Sequence, residues 1–220
     1  QSPVVLFEYK HGAAVNAALL EAWRELGYGL FRWSAGLALL LPFDTAAAEA
    51  DFALNLVAVR PAQQATLAAR GLLVPVEAAS GPAAAGLPAA PVMEDALRSW
   101  CARPSQQGLD PDATDDIAHD TALRLVAAAH LAVGLSAAQR LAALRAAHDV
   151  VMASQGSGAP VGPHLGVLAV HCLHTLGEQL AAVRLGAQLL ANWPQGPVEI
   201  RTPMVPPLRM LTLPPSVAWP

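Results

Sequence analysis

Lysine is all but missing from this chain: Lys10 is the only one in 220 residues, and every other cationic side chain is an arginine or a histidine. That bias reads as GC-rich coding and not as a functional choice. With 13 basic and 17 acidic residues the formal net charge is −4, and no basic stripe occurs. A surface that tracks phosphates needs clustered cations, so the sequence argues against nucleic-acid binding. Cysteine is scarce too: Cys101 and Cys172 lie far apart and make no metal-type pair. Two cysteines in a chain of this length exclude a disulfide scaffold, and a reducing, cytoplasmic setting is the simpler expectation. No apolar run approaches the roughly 18 residues needed to cross a bilayer, so no membrane partner is expected. The most apolar helical stretch is interrupted by His130. A basic leader and an initiator methionine are both missing, and opening on Gln1 suggests a cut from a longer protein.

What is present is apolar and small. Hydrophobic residues make up 54% of the chain against 14% charged, and much of that share is alanine. Alanine buries little area, so the core must depend on scattered Leu, Val, Phe and Trp. Residues 4–60 organise the rest. The run 4–7 is fully apolar and ends in the polar cluster Glu8, Tyr9, Lys10, His11 and Gly12. An unbroken apolar run suits a strand covered on both faces, as in a parallel sheet, which predicts a central buried strand beside the one at 52–59. An apolar stripe at Val15, Leu19, Trp23 and Leu26 predicts a helix stopped by Gly27. Strand-like runs follow at 28–33, 37–41 and 52–59. Strand, helix and further strands make the closing portion of an open α/β sheet.

A helix at 62–70 and a short strand at 72–76 are expected next. Residues 81–91 have linker composition, rich in Ala, Gly and Pro. The expected organisation is therefore an α/β portion at 1–76, a linker at 77–91, a helical region at 92–193 and a proline-rich tail at 194–220. In the helical region, Asp112, Thr114, Asp115 and Asp116 supply a cap and an acidic first turn for a helix stopped by Gly134. Ser136 caps the following helix, and Gly177 separates the last two. Helix pairs with Gly-centred turns at a period of about 30–35 residues predict a helical repeat.

Position gives the best chemical lead. Polar residues directly after a strand occupy the carboxyl edge at which open α/β sheets bind ligands. Glu8 and His11 are the candidate catalytic residues there, a carboxylate and an imidazole able to position or deprotonate a hydroxyl. Lys10, Asn16 and Asn55 are the candidate substrate-binding residues, with Asn55 read as a buried amide tying loops to that edge. The competing reading is structural: these groups solvate the strand exit and cap the next helix. Gly156, Ser157 and Gly158 lack the preceding strand of a nucleotide-binding loop and are set aside. His171 and His174 share a helix face with Cys172 between them, and Asp115, Asp116, His119 and Asp120 form a second cluster. Neither presents three convergent metal ligands at a recognised spacing, so no metal is expected.

The run from Ser2 through His11, then Asn16 and Leu26, Gly27 and Tyr28, is similar to the last third of FkbM-type methyltransferase domains. The similarity extends through Gly36 and Leu37, Leu41 to Asp44, and Leu54 to Leu56, covering residues 1–75. The resemblance implies S-adenosylmethionine as cofactor of the full-length protein and a Rossmann-like sheet whose final strands pair antiparallel. It also implies a hydroxyl acceptor on a sugar or metabolite. The helical half resembles the tetratricopeptide-type regions attached to some bacterial members, which implies a protein partner there. The family's glycine-rich cofactor loop and its Asp-x-Glu-Gly segment have no counterpart in the chain and would lie before Gln1. The expectation is a methyltransferase portion without its cofactor-binding half, inactive alone. The alternative is an interaction module whose helices work and whose α/β piece is a platform.

Overall fold

A computed structural model describes residues 3–12, 14–47, 54–79, 86–102, 117–155 and 163–193. The tail at 194–220, the Gly-Ser-Gly stretch at 156–158, the capping residues Asp112 and Thr114, the acidic pair Asp115 and Asp116, and residues 80–85 of the expected linker lie outside the described residues.

The first part is a mixed α/β unit. Its strands are β1 (Val5–Glu8), β2 (Lys10–His11), β3 (Ala14–Val15), β4 (Gly29–Ser34), β5 (Leu39–Pro42) and β6 (Asn55–Val59). Helix α1 (Ala17–Glu25) lies between β3 and β4, and α2 (Pro61–Ala69) follows β6. Four strands form one sheet in the order β1-β6-β4-β5, every neighbouring pair antiparallel. Because β1 and β4 each run against β6, they are parallel to one another, with α1 between them in the chain. A separate ribbon pairs β2 with β3 through Gly12, whose φ of +61° suits a residue without a Cβ.

The register assigns the faces. Val5 opposes Ala58 and Phe7 opposes Leu56, so these four share a face with Leu30, and Leu20 and Trp23 of α1 cover it. Phe7 and Tyr28 both pack on the Trp23 ring, at centroid distances of 5.3 and 5.0 Å. Phe31, Leu40, Val57 and Val59 point the other way, under Leu67 of α2 and Leu73. Helices thus cover both faces of the sheet, as its apolar runs require.

The expectation of a central, buried first strand in a parallel sheet is corrected. Among the described strands β1 is an edge, its residues alternate between half-buried and exposed, and Leu6 is 69% exposed. Continuous apolar character does not report cover on the second face: α2 reaches β4 and β6 and stops short of Leu6. The helix stripe also shifts. Val15 belongs to β3, and Leu26 is exposed at the end of α1. The 72–76 stretch contributes one parallel bridge, Leu40 to Leu73, and then short helix α3 (Val76–Ala79).

The second part is helical: α4 (Ala90–Cys101), α5 (Ile117–Leu131), α6 (Ala137–Gln155), α7 (Pro163–Leu176) and α8 (Gln179–Ala191). Ser136 and Gln139 start α6 with a reciprocal cap. The serine hydroxyl accepts from the Gln139 amide at 3.2 Å, and the glutamine oxygen accepts from the Ser136 amide at 3.0 Å. Gly134 (φ +84°) and Gly177 (φ +85°) make the turns before α6 and α8. The His119 ring lies 5.9 Å from that of His164 and His130 meets His171, so α5 and α7 run parallel, start beside start. Two helix hairpins, α5–α6 and α7–α8, therefore stack in the same sense. They begin at Ile117 and Pro163, farther apart than the expected period, because α6 alone runs from Ala137 to Gln155.

One core joins the two parts. Leu37, Leu39, Leu41 and Val74 from the sheet side pack with Leu97, Trp100, Leu123, Leu144 and Leu168 of the helices. Ser34 Oγ donates to the Thr175 carbonyl at 2.9 Å, and Arg140 donates to the Leu37 carbonyl at 2.6 Å. No described helix is long and apolar enough to cross a membrane.

Candidate functional site

At the carboxyl end of β1 two of the five residues singled out from sequence, Glu8 and Asn55, come together, on the sheet face opposite α1. Antiparallel pairing sets Glu8 opposite Asn55, so their side chains leave the same face as direct cross-strand neighbours. The chain then steps from the sheet into the β2–β3 ribbon. Tyr9 remains tied to the residue that leads into β6 by its amide, which donates to the Leu54 carbonyl at 3.0 Å, and its carbonyl accepts from the Asn16 amide at 2.8 Å. These two bonds pin both ends of the ribbon, and with it Lys10 and His11, beside the sheet edge. Tyr9 is buried against Phe43, ring edge to face at 5.3 Å, and fixes the ribbon from below.

Individual roles separate at this point. Asn16 is the N-cap of α1: its Oδ1 accepts from the Leu19 amide at 3.0 Å, so that oxygen is committed to the helix. Lys10 is buried, its Nζ 5.7 Å from the centre of the Tyr9 ring, and its stem packs rather than reaching into solvent. Glu8 and His11 are exposed. Asn55 is exposed as well, which corrects the expectation of a buried amide: as the first residue of β6 it sits where the strand emerges, ahead of the covered Leu56. A carboxylate and an amide side by side, with an imidazole on the adjoining ribbon, can hold a hydroxyl group and take its proton. The edge is open, so a base here works through position.

The described members of the other clusters do not converge as ligand sets. His171 turns inward to His130, whereas His174 on the same helix is exposed and Cys172 is buried. Asp120 is held by Arg124, whose Nε lies 2.9 Å from each carboxylate oxygen, and Arg124 also reaches Glu94 of α4. Among the described residues no three His, Cys, Asp or Glu side chains come together as a metal site. Both cysteines are free, and burial pushes the Cys172 thiol up to about 12.

Comparison of the chain with protein-family models, with curated proteins and with solved structures found no match.

Sequence reasoning missed the buried imidazole contact. His130 Nε2 and His171 Nε2 lie 3.0 Å apart between α5 and α7, and both rings are buried. Burial lowers the His171 pKa to about 4, with the neighbouring His174 adding to the effect. The signal was in the spacing. His119 and His130 return to one face of α5 after three turns, and His164 and His171 to one face of α7 after two.

Proposed function

We propose that this chain is part of an FkbM-type, S-adenosylmethionine-dependent methyltransferase that acts on a sugar or metabolite hydroxyl. In this reading it supplies the closing strands of a Rossmann-like sheet and the acceptor-side edge. The observation that carries the proposal is the cross-strand pairing of Glu8 with Asn55 at the carboxyl end of β1, with His11 on the ribbon that follows and Asn16 capping the next helix. Two strands of one direction joined through a helix, with a reversed strand inserted between them, also suit the end of such a sheet. Glu8 would act as the base or positioning carboxylate for the acceptor hydroxyl with Asn55 beside it, and Lys10, His11 and Asn16 would contribute from the ribbon and the helix start that follow. None of the 220 residues forms the family's glycine-rich cofactor loop. The 220-residue chain by itself is expected not to bind S-adenosylmethionine, and the natural gene product that contains it is expected to bind. Calorimetry on the two proteins tests this. Micromolar binding by the chain alone, or none by the whole product, would overturn the reading.

A second reading rests on the helical half. Parallel stacking of the α5–α6 and α7–α8 hairpins is the geometry by which tetratricopeptide-like arrays build a binding surface for a protein partner. Loss of a partner on replacing the exposed Val183 and Leu190 of α8 with serine, with catalysis unchanged, would assign that role to the helices.

A further inference from the structure

The sheet and the helices meet around a cavity of about 350 Å³ that shares no residue with the β1 edge. Arg32 of β4 and Leu41 of β5 form one wall, because they oppose each other in the register and point to the same face. Arg145, His148 and Asp149, from one side of α6, form another, and Glu178 in the turn before α8 closes it. Both arginines are half-buried. Arg145 donates through one Nη to the Ala79 carbonyl at 2.5 Å, and among the described residues no carboxylate lies within ion-pair distance of it. A guanidinium has five N–H donors, so most of its capacity faces the cavity or solvent. The Arg32 guanidinium lies against the Cα of Gly177, where any side chain would displace it. Gly177 thus serves two ends, the turn and the seating of Arg32.

The acids are placed differently. The Asp149 side chain is 72% exposed and leans on His148, Nδ1 to Oδ1 at 3.5 Å, and Glu178 is exposed. Half-buried cations inside and solvated carboxylates at the mouth suit a ligand with one anionic head and a neutral or cationic outer end. A polyanion would meet repulsion at the mouth. The volume is at the small end of ligand pockets, which fits a small molecule and not a peptide segment.

We propose that this cavity binds a small organic anion, its carboxylate or phosphate head held by Arg145 with Arg32 beside it. The site does not depend on the methyltransferase reading and would hold whichever half of the protein carries the main activity. The test titrates the 220-residue chain with inorganic phosphate and, separately, with propionate at constant ionic strength, following ligand NMR and melting temperature. Saturable binding of at least one is expected, and the tighter of the two names the head group. Arg145→Gln should weaken it on the order of tenfold to a hundredfold, as loss of a charge-assisted pair does. Glu178→Gln removes an exposed mouth carboxylate and should tighten it roughly threefold. If Arg145→Gln does not fold, Glu178→Gln decides alone. Absence of saturation with both anions, wild-type binding by a folded Arg145→Gln, or no tightening in Glu178→Gln would overturn the proposal.

Discussion

Acid should loosen the helical half through one contact, the imidazole pair of His130 and His171. A hydrogen bond between two Nε2 atoms 3.0 Å apart needs one ring to donate and the other to offer a lone pair. Protonating both rings sets N–H against N–H in a site closed to water. His171 already resists its proton: burial first, and then the nearby His174, hold it at about 4 against an ordinary 6.5. The folded value lies below the unfolded one, so between pH 6.5 and 4 the unfolded chain binds more protons and stability falls as pH falls. Integrated from pH 7 to pH 5, that imbalance costs about 2 kcal/mol, and it levels off near about 3 kcal/mol below pH 4.

The assay is urea unfolding followed by helical circular dichroism, at half-unit steps from pH 7.5 to 4.5, on the wild type and His171→Gln. Glutamine places an amide nitrogen or oxygen where Nε2 stood, so it can still bond His130 and should change stability at pH 7 by about 1 kcal/mol or less. Taking the difference between the two proteins cancels carboxylates and the remaining histidines. That difference should shift by about 2 kcal/mol between pH 7 and 5, with the variant gaining on the wild type as acid is added. Parallel pH profiles would refute the reasoning and would place the His171 proton elsewhere.

Three further outcomes are expected. Ser136→Ala should cost about 1 kcal/mol in urea unfolding, because it removes the hydroxyl half of the cap that starts α6; an unchanged midpoint would mean that the helix starts elsewhere. Gly134→Ala and Gly177→Ala impose the same backbone strain, about 1 kcal/mol, at nearly equal φ. Only the second also displaces the Arg32 guanidinium, the far end of a flexible side chain that can shift, so the two losses should agree within about 1 kcal/mol, and a much larger loss in Gly177→Ala would show that Arg32 cannot move. In the natural gene product, exposed Glu8 should contribute little to folding, so Glu8→Gln should leave the melting temperature nearly unchanged; a clear drop would make it a structural residue.

Most element positions were legible in the sequence because their punctuation is local. Gly71, Gly134 and Gly177 all take positive φ where a helix was expected to end, and Ser136 caps where its side chain predicted. Pairing was less legible. The run 4–7 carries the same apolar pattern whether its second face is covered or bare, so Leu6 could be placed only by knowing how far α2 reaches. Asn55 was misjudged for the same reason: strand membership was correct, but its position at the mouth of β6 sets its exposure. The seam between sheet and helices was not legible at all. Ser34 with Thr175 and Arg32 with Gly177 are joined across more than half the chain, and no local pattern announces such contacts. The α5–α7 histidine contact was half legible, since the spacing marks a face but not what that face meets.

Methyl transfer by the natural gene product tests the central claim most directly. With labelled S-adenosylmethionine and a panel of sugar and metabolite hydroxyl acceptors, label should pass to at least one acceptor. Glu8→Gln should lower turnover on the order of 10²–10⁴-fold while cofactor affinity stays within about twofold. Failure of the whole product to bind the cofactor, or full turnover by the Glu8 variant, would contradict the account.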